Sequence, residues 1–146
     1  MLSDLIKLFN RDVSVLETEV QLFKQEDNLW RTVGTIKNPA GNLCLHLVGN
    51  LNTYIGKNIG HTAYVRNRDA EFALTGIARA ELLQKVQETK KIVDASLAKL
   101  SEDQLEQLYT EDVLGFKMTN AYFLVHLLAH LSYHVGQINY LRRTLE

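Results

Sequence analysis

Apolar residues recur in steps of three and four along most of the chain. Leu2, Leu5, Phe9, Val13, Leu16, Val20 and Phe23 fall on one stripe. That spacing predicts an amphipathic first helix, with Ser3 as a candidate cap. The stretch QEDNLWRT breaks the pattern, and its Leu29 and Trp30 are expected to anchor a short turn against the core. A second helix is predicted to begin at Asn38-Pro39. Asparagine is a good N-cap, and proline suits the first helical position, where its missing N–H has no partner to lose. The helix should run through AGNLCLHLVGNLNTYIGKNI and stop near Gly60. Residues 61–78, HTAYVRNRDAEFALTGIA, lack sustained periodicity and form the longest connection, a crossover or lid. A third helix is expected from about Ala78 to Ala98, with Leu83, Val86, Val93 and Leu97 on its buried side. Ser101 and Gln104 make a capping box for a short helix. TEDVLGFKMT follows as a loop, and Thr119 caps a last long helix to about Leu145. No strand pattern appears. Four long helices with one long connection, between helices 2 and 3, predict an all-α four-helix bundle forming a single domain over residues 1–146.

Composition narrows the function classes. Lys+Arg is 16 and Asp+Glu 17, a net charge of −1, so no basic excess points to nucleic acid or an anionic membrane as partner. No apolar run approaches the length of a membrane span. The N-terminal stretch MLSDLIKLFNRD, with Asp4 early, does not have the pattern of a signal peptide. The single cysteine, Cys44, forms no internal disulfide and rules out a cysteine-rich zinc site. These features predict a cytoplasmic protein.

The chemistry concentrates in HLLAHLSYHVGQINYLRR, which places His126, His130 and His134 four residues apart on the last helix. A step of four turns only about 40° and rises about 6 Å. Either neighbouring pair, 126/130 or 130/134, can converge on one ion. The outer pair, about 12 Å apart along the axis, cannot. His46, mid-helix in NLCLHLVGN and on the same face as Asn42, Asn50 and Thr53, is the third candidate ligand. Three neutral imidazoles from two helices favour zinc, nickel, copper or iron over magnesium or calcium and leave a position open for water or substrate. The competing reading of each histidine is a hydrogen-bonded core residue. No H-E-x-x-H motif is present, no glutamate sits three residues before a histidine as in di-iron carboxylate bundles, and no C-x-x-C-H occurs. Cys44 lies about 200° around the helix from His46, so it is expected to be a small buried hydrophobe. His61 is expected at the surface near a helix end. Arg66 and Arg68 are expected in a solvated loop; the alternative has them over the pocket mouth.

Two stretches together resemble one known family. HLLAHLSYHVGQINYLRR is similar to the C-terminal helix of the DinB-like metal-binding proteins, in which two histidines four apart are followed closely by Gly-Gln. NPAGNLCLHLVGN resembles their second helix, which carries one metal histidine in its middle. The resemblance spans the chain and implies an antiparallel four-helix bundle with a three-histidine site for zinc or nickel. It carries the ligand roles to His46, His130 and His134. His126 falls outside the usual pair, as a pocket or outer residue, or as a ligand in place of His134. Asn50 and Gln137 are expected to orient a bound water or substrate. Characterised members include bacillithiol S-transferases and mycothiol-dependent enzymes. The resemblance thus implies a metal-dependent transfer of a low-molecular-weight thiol to a small electrophile. A metal-dependent hydrolase is the second reading, weakened because no carboxylate lies in the histidine stripe to act as base. A non-enzymatic metal-binding or interaction bundle is the third. Relatives often pair, and Ile6 and Leu22 lie outside the inner stripe, so a homodimer is expected.

Overall fold

The computed structural model describes residues 1–146 as an all-helical chain without strands. Five α-helices are present: α1 Leu2–Leu22, α2 Ala40–Leu51, α3 Arg68–Ala73, α4 Arg79–Leu97 and α5 Asn120–Leu145. The predicted stripe of α1 is its buried face, from Leu2 to Val20, and Phe23 continues it. The start of α1 is capped from a distance, not by Ser3. The Glu102 carboxylate accepts from the terminal amino group at 3.0 Å and from the Leu2 N–H at 2.9 Å. Leu29 is fully buried in a 3-10 turn over Glu26–Trp30.

Helix α2 starts one residue later than expected. Pro39 is extended (ψ 157°) and its carbonyl accepts from Leu43 N–H at 3.1 Å, so proline takes the N-cap position and Asn38 lies outside. The helix continues as a π-helical turn, Asn52–Lys57. Asn52 Nδ2 donates to Val48 O at 2.8 Å and Thr53 Oγ1 to Gly49 O at 2.7 Å. Side-chain donors thus compete for the carbonyls of the preceding turn, and the backbone bonds widen. The end lies near Gly60, where a Cβ would overlap Ser96 Oγ on α4. The expected long connection contains the short helix α3, capped by Asn67, whose Oδ1 accepts from Ala70 N–H at 3.2 Å. Six residues are too few to show periodicity. On α4, Leu82 is fully buried and Leu83 only partly. The Ser101/Gln104 box closes a 3-10 turn, Asp103–Glu106, and Thr119 caps α5 by accepting from Tyr122 N–H at 3.1 Å.

Helix α1 packs on α4 and α5, and α2 packs on the same two helices. The paired residues give the directions. Asn10 meets Asp94, Ser14 meets Lys90 and Glu17 meets Gln87, so α1 and α4 run antiparallel. His46 meets His130 and Tyr54 meets Phe123, so α2 and α5 also run antiparallel. Asn52 meets Thr89, Gly56 approaches Ile92 and Gly60 approaches Ser96, so α2 and α4 run parallel. Glu19 pairs with Asn139 and Arg142, and Lys24 N–H with Glu146, so α1 and α5 run parallel. The expected antiparallel arrangement therefore describes two of the packed pairs and not the other two. Parallel α2 and α4 require a crossover, and residues 61–78 supply it by running back along α2.

His61 follows α2 with φ +58°, a left-handed conformation that glycine adopts without strain. Replacing it by glycine is expected to relieve about 1–2 kcal/mol of left-handed strain against about 0.5–1 kcal/mol for the added freedom of the unfolded chain, a small net gain in stability. Thermal unfolding checks this, and a lowered Tm for His61→Gly would contradict it.

Candidate metal centre

Helices α2 and α5 bring three imidazoles together where they cross. His46 Nε2 lies 3.2 Å from His130 Nε2, and His134 Nε2 lies 3.1 Å from the same atom. One nitrogen from each ring falls within 4.8 Å of the others. His46 is buried, while His130 and His134 are half-buried. His126 stays outside this cluster: its ring lies nearly parallel to those of His130, at 6.4 Å, and Phe123, at 5.8 Å. Cys44 is fully buried in the core, where burial pushes its thiol up to about 12. His61 is exposed.

The outer nitrogens decide what the inner ones present. His46 Nδ1 lies 3.1 Å from Glu71 Oε1, and His134 Nδ1 lies 2.6 Å from Gln137 Oε1. Both oxygens are acceptors. Arg66 Nη2 also lies near His46 Nδ1, at 3.4 Å, but it is farther than the carboxylate and already donates to Glu71 Oε1 at 2.9 Å. Each imidazole therefore places its proton on Nδ1 and leaves a bare lone pair on Nε2. Two lone pairs then face His130 Nε2, whose single hydrogen satisfies at most one of them. A cation among the three satisfies all, and an all-imidazole set suits a borderline divalent ion such as zinc or nickel. Burial lowers the pKa of His46 despite the hydrogen bond it donates to Glu71, which acts to raise it. Burial, helped by His134 and His46, pushes His130 down to about 4. Both are neutral near pH 7, as ligands must be. The expected ligands thus lie together and the residues fit a metal ion.

Other expected site residues take different places. Gln137 lies at the cluster through His134. Asn50 is buried one turn beyond His46, and its Oδ1 has no partner. His130 Nδ1 also has none. Arg66 is not a solvated loop residue. Its Nε and Nη2 bind Glu71 Oε2 and Oε1 at 2.8 and 2.9 Å, and its guanidinium lies over Tyr54. Arg68 instead covers Phe72, whose ring packs 5.0 Å from His46.

A family model described as "Protein of unknown function (DUF1572)" matches residues 1–146. The chain belongs to the DUF1572 family. Among curated proteins, none matches it significantly. What this DUF1572 chain adds to its sequence pattern is Glu71. No histidine-like spacing marks it, and it lies 25 residues from His46. The usable signal was indirect: Gly49, three residues after His46, has no side chain because a Cβ there would overlap Glu71 Oε2.

Replacing His46, His130 or His134 by alanine is expected to abolish stoichiometric metal binding in each case, whereas His61→Ala retains it. Full occupancy in His46→Ala would refute the cluster as the binding site. The metal-free protein should also be acid-sensitive. His130 titrates near 4 when folded, below about 6.5 when unfolded, so the unfolded chain binds more protons between those values. Stability is complete above about pH 6.5 and falls as pH drops toward 4. His130→Asn should flatten the Tm profile in that window, and an unchanged profile would contradict the assignment.

Proposed function

We propose that the chain is a divalent-metal protein of the DinB-like type, a four-helix bundle that works as a metal-dependent thiol S-transferase on small electrophiles. One observation carries this reading: a pocket of about 540 Å³ reaches the histidine cluster through His134 and Gln137. That size is typical of small-molecule sites. Ile36, Leu43, Tyr133, Tyr140 and Leu141 supply apolar walls, and Lys37 is the one charged side chain lining it. Three protein ligands with an adjoining pocket match a catalytic site better than a closed structural one, which uses four.

His46, His130 and His134 would hold the ion, zinc or nickel. Such an ion lowers the pKa of a thiol that binds it and supplies a thiolate at neutral pH. The residues of the chain do the rest. Gln137 orients His134 and also lines the pocket, so it joins ligand geometry to substrate position. Tyr133 and Tyr140 flank the entrance and hold the body of the electrophile. Phe72 packs on His46 and keeps water from that side. Asn50 and His126 border the cluster from the next turn of each helix.

The resemblance to bacillithiol S-transferases suggests a low-molecular-weight thiol as co-substrate. The hydrolase reading is less favoured, because Glu71 engages both oxygens with Arg66 and His46 and is no free base. No helix is long and apolar enough to cross a membrane. The near-neutral charge suits a cytoplasmic protein that binds neither nucleic acid nor membrane. Exposed Leu22, Tyr122 and Val125 suit a homodimer.

The test is a screen of zinc- and nickel-loaded protein against a panel of thiols, bacillithiol among them, with alkyl and aryl electrophiles. Metal-dependent conjugation is expected, lost in His46→Ala and reduced about 10–100-fold in Gln137→Leu. Absence of any metal-dependent conjugation, with ester or amide hydrolysis in its place, would reject the transferase in favour of the hydrolase.

A further inference from the structure

Between His61 and Ala78 the only buried residue is an acid, Glu71, at 6% exposure. A segment that needed only to dock would bury an apolar side chain, since burying a carboxylate is costly unless it is paired. Here the pairing is complete. Arg66 grips both carboxylate oxygens in the two-pronged geometry that makes guanidinium pairs strong. Oε1 also accepts from His46 Nδ1 at 3.1 Å. The backbone is held too: Glu71 O and Leu74 O accept from Asn42 Nδ2 at 3.0 and 2.7 Å. Asn42 and His46 lie one turn apart on α2, so the helix that carries the candidate ligand also seats the segment. Thr62, Tyr64, Arg66, Ala70 and Ile77 are half-buried, and the other residues of the segment are exposed, Val65 to 86%.

We infer that Glu71, clamped by Arg66, is a positioning residue of the histidine cluster, and that it ties the docking of residues 61–78 to metal binding. It fixes the His46 proton on Nδ1, leaves Nε2 as the ligand atom and raises the basicity of that ring, as carboxylates do behind ligating imidazoles. Because the segment and the ion both act through His46, each stabilises the other's binding by the same factor. The linkage half of this inference rests on the metal reading above, whereas the tautomer of His46 is a property of the metal-free chain.

The experiment uses the full-length protein with zinc as the probe. Imidazole nitrogen–proton NMR of the metal-free wild type is expected to show His46 protonated on Nδ1. Glu71→Leu should shift that proton toward Nε2 and weaken zinc about 10–100-fold in chelator competition. Glu71→Gln, which keeps an acceptor oxygen, should hold the tautomer and recover part of the affinity. Hydrogen exchange of residues 61–78 should slow on zinc addition in the wild type and not in Glu71→Leu. If Glu71→Leu does not fold, Arg66→Met frees the carboxylate from its clamp and should give the same exchange and affinity trend. His46 protonated on Nε2 in the metal-free wild type overturns the inference, as does unchanged zinc affinity in both Glu71→Leu and Arg66→Met. A wild type that binds no zinc refutes the metal reading and the linkage with it, and the metal-free spectrum then still decides the tautomer role of Glu71.

Discussion

The register of α2 against α5 is the constraint on which the site depends. His46 must face His130 at a particular height, because one residue of slip on either helix turns a side chain by about 100° and shifts it by about 1.5 Å. The packed layers on either side hold that register. Tyr54 meets Phe123 below, at 5.3 Å, and Leu43 and Leu141 close the interface above. The apolar burial that fixes the two helices therefore fixes the three nitrogens, and the nitrogens themselves contribute little to it. Bare lone pairs gathered without an ion repel one another in a low-dielectric interior. The fold holds a cluster that is poor for stability and well suited to a cation.

The crossover follows from helix direction. Since α2 and α4 run parallel, the chain has to return along α2 before α4 begins. It takes the path over the face that carries Asn42, His46 and Gly49. Each of those residues meets it: Asn42 by its amide, His46 by Nδ1, and Gly49 by leaving room. A bundle with antiparallel neighbours throughout would need no such return, and the cluster would have no carboxylate behind it.

The cluster accordingly has two unlike sides. On one, Glu71 is tightly paired with Arg66, and Phe72 packs beside His46. On the other, the pocket between residues 36–38 and the outer face of α5 leads from solvent to His134. One imidazole of the cluster is thus anchored by a carboxylate, and another lies at the pocket.

The helices, their approximate limits and the stacked histidines were legible in the sequence, because periodicity and caps are local. Apolar steps of three and four marked α1 and α4, a threonine cap marked the start of α5, and four-residue spacing put His130 and His134 on one side of that helix. The choice between the pairs 126/130 and 130/134 was not local. It rested on resemblance, and the tertiary structure turns His126 flat against His130 while bringing His134 to the same point as His46. Arg66 and Glu71 were beyond sequence reasoning for the same reason. Glu71 sits in a short helix with no period to detect, Arg66 lies in the stretch before it, and their partner His46 lies on a different element, met only because two helices run parallel and the chain must come back. Local pattern determined which residues are helical and which share a face. Only packing decided which faces meet, and so which acid stands behind which histidine.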